Sequence, residues 1–144
     1  MPTVERADFD LIASWVKPNE RVLDLGCGDG SLLKRLIEER GAFGYGIERE
    51  EAGVLAAIAQ GINVIQGDLE QGLAGFDDGT FNHVVLSRTL QTVRHTERLL
   101  TEMLRVGREA VVSFPNFAYW KNRVAVMRGR MPVSEDLPYE WYES

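Results

Sequence analysis

Eleven residues, Arg21-Val22-Leu23-Asp24-Leu25-Gly26-Cys27-Gly28-Asp29-Gly30-Ser31, restrict the fold more than any other part of the chain. They read as a short apolar strand that enters a glycine-rich turn and leaves it as a helix from Ser31. Glycines at alternate positions, Gly26, Gly28 and Gly30, let the backbone turn tightly, tolerate positive φ and approach a ligand more closely than a Cβ would allow. The helix behind them aims unpaired N–H groups into the same space. The whole stretch reads as a loop for a nucleotide-type ligand.

The spacing narrows the ligand. A dinucleotide fingerprint wants glycines at the first, third and sixth places of the turn, to seat a pyrophosphate on the helix. Here they occupy the first, third and fifth, and Ser31 holds the sixth. Two carboxylates, Asp24 and Asp29, flank the turn; they repel phosphates and attract a ligand that carries an ammonium and a sulfonium. S-adenosylmethionine is such a ligand. The run D-x-G-x-G-x-G, Asp24 to Gly30, resembles the first motif of the class I methyltransferases that bind it. Turns of this kind also serve other nucleotides, and some hold none. The expected contacts here are Asp24, Gly26, Cys27, Gly28 and Gly30, with S-adenosylmethionine or its demethylated product, S-adenosylhomocysteine, as ligand.

Composition sets outer bounds. The 144 residues fit one domain, with the hydrophobic and charged shares of an ordinary soluble protein. A net charge of −6 disfavours nonspecific binding to nucleic acid. The lone Cys27 allows no internal disulfide, the N-terminus lacks a signal-peptide layout, and no apolar run approaches the roughly 18 residues of a membrane span. A cytoplasmic setting is expected, and no metal-ligating set is read.

Apolar spacing predicts a helix over residues 5–16, closed by Pro18, with Trp15 as packing. Leu32, Leu33, Leu36 and Ile37 give the helix after the turn one apolar face, and Gly41 closes it. Strand two, 44–48, ends in Glu48, 22 residues after Gly26. A carboxylate there accepts both hydroxyls of a ribose; alternatively it begins an acidic helix N-terminus with Glu50 and Glu51. The next helix carries Val54, Leu55, Ile58 and Ala59 as its apolar residues and stops before Gly61. Strand three, 62–66, leads into Gly67-Asp68-Leu69. Asp68 stands where class I methyltransferases often accept the adenine amino group, although a Gly-Asp pair also serves as a plain turn.

Residues 81–87 form a nearly continuous apolar run, as a central parallel strand requires, and end at Ser87 beside the expected cleft. His83, near the start of that strand, reads as packed or surface rather than as a base. A helix from Thr96 with Leu99, Leu100, Met103 and Leu104 inward stops at Gly107, and strand five is 109–114. The alternation argues an α/β fold, a doubly wound parallel sheet in spatial order 3-2-1-4-5.

Later segments are more specific. Val85-Leu86-Ser87-Arg88-Thr89-Leu90-Gln91, Glu102-Met103-Leu104-Arg105-Val106-Gly107, Ser113-Phe114-Pro115-Asn116-Phe117, Arg130-Met131-Pro132-Val133 and Leu137-Pro138-Tyr139-Glu140-Trp141-Tyr142 resemble the methionine-biosynthesis family MetW. Arg88 replaces the Gln common in that family. The resemblance implies a methyltransferase-like domain over residues 1–144, truncated before the last two strands of a complete class I sheet. It also implies association with a homoserine O-acyltransferase. Three function classes follow: a regulatory partner of that enzyme, an active small-molecule methyltransferase, and a Rossmann-like module without a cofactor. Between residues 117 and 142 lie six of the 13 aromatics, and a basic segment precedes an acidic one. A helix over residues 117–128 is expected there, with Trp120, Tyr139, Trp141 and Tyr142 as a docking surface or lid. His95 starts a helix, where a histidine is usually solvated.

Overall fold

The computed structural model describes residues 4–71, 73–87, 96–113 and 119–123. In chain order they are α1 (Val4–Trp15), β1 (Arg21–Leu25), α2 (Ser31–Arg40), β2 (Phe43–Glu48), α3 (Glu51–Ala59), β3 (Asn63–Gln66), a short 3-10 turn (Leu69–Gln71), β4 (Phe81–Ser87), α4 (Thr96–Val106), β5 (Gly107–Ser113) and β6 (Tyr119–Arg123). The strands make one sheet in the order β3-β2-β1-β4-β5-β6, with β1 to β5 parallel. The expected order 3-2-1-4-5 is therefore present. It reverses between β1 and β4, which opens a crevice at the carboxyl ends of the strands.

Two apolar layers cover the sheet. Ile12 and Val16 of α1, Leu32, Leu33 and Leu36 of α2 and Ala57 of α3 pack with Val22 and Val85 on one face. Leu99, Leu100 and Met103 of α4 pack with Leu23, Leu25, Val84 and Leu86 on the other. Each fully buried side chain of this size contributes about 1.5–3 kcal/mol. Gly41 ends α2 as expected: it adopts φ 70° and returns its N–H to Ile37 O at 3.2 Å.

Three expectations need correction. Strand β5 begins at Gly107 rather than Glu109, directly out of α4. A Cβ on Gly107 would sit 2.5 Å from Val84 Cγ2, so the glycine that stops the helix also lets β5 lie close against β4. Second, Tyr119–Arg123 is not part of a helix but an antiparallel strand on β5, pairing Val111 with Lys121 and Ser113 with Tyr119. Adjacent aromatic residues favour a strand, and the free edge of β5 rewards one. The sheet therefore gains a strand beyond β5 where none was expected. Third, α3 does not bury Leu55, Ile58 or Ala59; its buried residue is Ala57.

Toward the amino ends of the strands, His83 is buried between two carboxylates. Its Nε2 lies 2.8 Å from Glu20 Oε1 and its Nδ1 lies 3.1 Å from Glu109 Oε1. Burial pulls the imidazole pKa down, but the bonds to Glu109 and Glu20 outweigh it and leave the value above the ordinary 6.5. The clamp ties the entry of β1 to β4 and β5, away from the crevice. Among the described residues no helix is long and apolar enough to cross a membrane.

Candidate functional site

The crevice is built from the ends of β1, β2 and β3. Gly26 (φ 73°) and Cys27 both donate their N–H to Ile47 O, at 2.8 and 3.1 Å, which fixes the turn to β2. Gly28 donates to Glu48 Oε1 at 2.9 Å, and Gly30 N–H closes the turn on Cys27 O at 3.0 Å. Ser31 N–H goes to Asp29 Oδ1 at 3.0 Å, and the Ser31 hydroxyl donates to the same oxygen at 2.6 Å. These amides are committed to protein acceptors, so the turn is not an open cradle for phosphate. Asp29 is exposed and acts as a local cap for Ser31 rather than as a second charge aimed at a ligand.

Glu48 is held from both sides. Besides Gly28, Glu50 N–H donates to its Oε2 at 2.9 Å. Each carboxylate oxygen accepts more than one hydrogen bond, so a fixed Glu48 keeps acceptor positions for a diol. Beside it, Gly28 has φ 57°, and a Cβ placed there would meet nothing within 4 Å. That bare Cα is a floor on which a flat ligand group fits.

Asp24 is the unusual member. It lies one strand position before the turn, opposite Gly46 and Val85, and only 3% of it is exposed. Among the described residues its Oδ1 has no hydrogen-bond partner. Burial, and then the negative charge of Glu48, push its pKa up to about 8. A buried acceptor without a donor is costly in a finished protein and invites a positively charged donor. Cys27 points into the α1–α3 layer beside Gly46, whose lack of a side chain leaves room for the sulfur. Burial, then Asp24 and Glu48, push its thiol up to about 12, so it is no nucleophile at neutral pH. Its part in the turn is its backbone.

Asp68 and Leu69 follow β3, where Gly67 N–H binds Glu48 O at 3.1 Å and brings the two strand ends together. Asp68 is exposed and Leu69 is half-buried. Ser87 ends β4 opposite Ser113 on the far side of the crevice. Arg88, His95, Tyr139, Trp141 and Tyr142 lie outside the described residues, whereas Trp120 is in β6 opposite Val112. Among the described residues no group of three His, Cys, Asp or Glu side chains is placed to hold a metal.

Gly53, in the first turn of α3, was not singled out from the sequence. A Cβ there would lie 2.9 Å from Glu48 Cγ and 3.3 Å from Gly28 O. Its absence lets α3 press on both residues. The available signal was a glycine inside a helix, where it is about 0.5–1 kcal/mol worse than alanine and so needs a packing reason.

The family described as "Methionine biosynthesis protein MetW" matches residues 6–144. The chain belongs to the MetW family. A relative from Rhodopirellula baltica, the "Bifunctional methionine biosynthesis protein MetXA/MetW", is 39% identical over 147 residues, covering 95% of this chain and 24% of that protein. The chain thus spans about a quarter of the length of this curated relative. Among solved structures, Haemonchus contortus phosphoethanolamine N-methyltransferase 2, in complex with S-adenosylhomocysteine, superposes with a TM-score of 0.66 at 16% identity, over 75% of this chain and 27% of that one. The [4+2]-cyclase SpnF superposes with a TM-score of 0.67 at 22% identity, over 76% and 45%. At such identities the likeness is one of fold: α/β, Rossmann-like, of the class I methyltransferase type. A cyclase among the neighbours also shows that this fold does not dictate methyl transfer.

Proposed function

We propose that this MetW-family chain binds S-adenosylmethionine or S-adenosylhomocysteine in the crevice and, in that state, acts with or regulates a homoserine O-acyltransferase in methionine biosynthesis. The observation that carries the ligand is the unpartnered, buried Oδ1 of Asp24 one residue before a turn whose amides are already used. A diphosphate gains little from such a turn and is repelled by Asp24 and Glu48; an ammonium supplies what Asp24 lacks. Glu48 takes the ribose hydroxyls, the Gly26–Gly30 turn lies under the ligand with Cys27 contributing backbone, Asp68 takes the adenine amino group, and Leu69 and Ser87 border it. The bound cofactor supplies an activated methyl group. The partner rests on the fused MetXA/MetW relative.

Direct methyl transfer is the second reading, favoured by the fold shared with an N-methyltransferase. It needs mainly alignment of donor and acceptor, so the lack of an evident base does not count against it. Calorimetric titration with S-adenosylhomocysteine and with NAD tests the ligand; a micromolar dissociation constant, about −8 kcal/mol, is expected for the first only. Equal affinity for NAD overturns it. Measuring a homoserine O-acyltransferase's rate with the chain, with and without S-adenosylmethionine, tests the role. No change in that rate and no complex leave methyl transfer as the better reading.

A further inference from the structure

Sixteen consecutive residues, Ala52 to Gly67, carry no charge, in a chain of which 26% is charged. They form most of α3 and all of β3. Leu55, Ile58 and Ile65 are 58%, 56% and 58% exposed, although α3 is apolar on nearly every side. A helix of that kind belongs in an interior. Strand β3 is the end strand of the sheet, and an uncharged edge is a template for association unless something covers it. The opposite edge differs: β6 carries Lys121 and Arg123 in its sequence, the kind of residue that keeps edges apart.

We propose that the α3–β3 face, centred on Leu55, Ile58 and Ile65, is where the chain docks on a homoserine O-acyltransferase. This rests on the partner reading above and supplies its surface. Two observations favour that occupant over a second copy of the chain. In the Rhodopirellula relative the matching region is 24% of a polypeptide named for both MetXA and MetW, so a domain like this one sits beside a larger one and needs an apolar face for it. Self-pairing through β3 has only four residues to use, about 13 Å of ladder, too little to hold a symmetric dimer by strand pairing. The face is also continuous with the crevice. Gly53 lies one helical turn or so before Leu55 and Ile58 and presses on Glu48 and Gly28, so a partner seated on α3 is felt at the cofactor residues.

The test uses the full chain with a purified homoserine O-acyltransferase of the same organism. Leu55→Glu with Ile58→Glu, and separately Ile65→Lys, are compared with wild type for binding of that enzyme, for self-association by sedimentation, and for S-adenosylhomocysteine affinity as a check of folding. Leu55→Ala with Ile58→Ala serves if the charged pair fails to fold. Acyltransferase affinity is expected to fall about thirtyfold for the charged pair and about tenfold for the alanine pair, as for central anchors of an interface, with S-adenosylhomocysteine affinity retained. Wild-type binding that no variant disturbs overturns this face and leaves the partner standing. Absence of binding by wild type overturns the partner and the face together. A wild-type dimer that the variants dissociate, with acyltransferase affinity unchanged, assigns the face to a second copy and overturns the proposal.

Discussion

Replacing Asp24 by Asn should stabilise the ligand-free protein at alkaline pH while weakening its hold on the cofactor. The folded chain keeps Asp24 protonated up to about pH 8, whereas the unfolded chain ionises it near 3.8. Between those values the folded state holds one proton more, so the stability of the neutral form is full below pH 3.8 and is lost as pH rises to about 8. Each unit is worth about 1.4 kcal/mol, which over that interval sets a ceiling of about 6 kcal/mol. Water entering an open crevice lowers this, and about 2–4 kcal/mol between pH 5 and 9 is expected. Asn has the same shape and no charge to desolvate, so its stability carries none of this slope. The assay is urea unfolding of both proteins at a series of pH values, followed by tryptophan fluorescence. The gap between their midpoints should widen steadily in favour of Asp24→Asn. A gap that stays constant from pH 5 to 9 refutes the account of Asp24 as a buried neutral acid.

The other expectations are shorter. Glu48→Ala removes charged hydrogen bonds to the ribose and should weaken S-adenosylhomocysteine by about 1.5–3 kcal/mol; calorimetry on a folded variant that binds as wild type would take Glu48 out of the site. Gly53→Ala should raise the intrinsic helix stability of α3 by about 0.5–1 kcal/mol, yet lower cofactor affinity, because the new methyl displaces Glu48; unchanged affinity would mean that α3 does not position that carboxylate. For His83, whose pKa is raised, the stability of the Glu20–His83–Glu109 clamp is complete below pH 6.5 and is lost as pH climbs through the raised value. His83→Gln should remove that dependence, seen as a flatter profile of melting temperature against pH, and an unaltered profile would show that the clamp carries no charge.

The strand order was legible because β1, β2 and β4 each carry apolar runs that only a covered parallel sheet accommodates, and because Gly26 to Gly30 fix where the first crossover begins. Two elements were not legible, for different reasons. Leu55 and Ile58 sit at helical spacing and so read as an inward face; spacing gives a common face but not whether it meets this chain or another one. Tyr119–Arg123 lies in a stretch whose Val124, Val126 and Met127 continue a helical pattern, and only the edge of β5, a long-range partner, makes it a strand. Asn82 shows the reverse case, a departure without consequence. Its Oδ1 accepts Arg21 N–H at 2.8 Å, a task an aspartate oxygen performs as well. The family stretch Glu102–Gly107 is likewise structural. Met103 is core, Arg105 binds the carbonyls of Leu73 and Phe76, and Gly107 fits against Val84.

What the sequence could not supply is the state of charge in the crevice, and that state argues for a particular kind of ligand. Two carboxylates near one turn suggested mere attraction for cations. The geometry divides them: Glu48 is held by the Gly28 and Glu50 amides, and Asp24 by nothing among the described residues. Glu48 can therefore remain an anion while Asp24 takes up a proton, and the ligand-free crevice bears less charge than its composition implies. A cation that settles beside Asp24 favours the ionised form, so it must displace that proton below about pH 8. A neutral diol is free to use Glu48 without any such exchange. A ligand that joins a ribose to an ammonium engages both carboxylates and should release a proton on binding; adenosine, which has the ribose alone, should not. Calorimetry in buffers of different ionisation enthalpy separates the two. If adenosine and S-adenosylhomocysteine release the same number of protons at pH 7, the ammonium is not at Asp24, and the crevice holds its cofactor by the ribose side only.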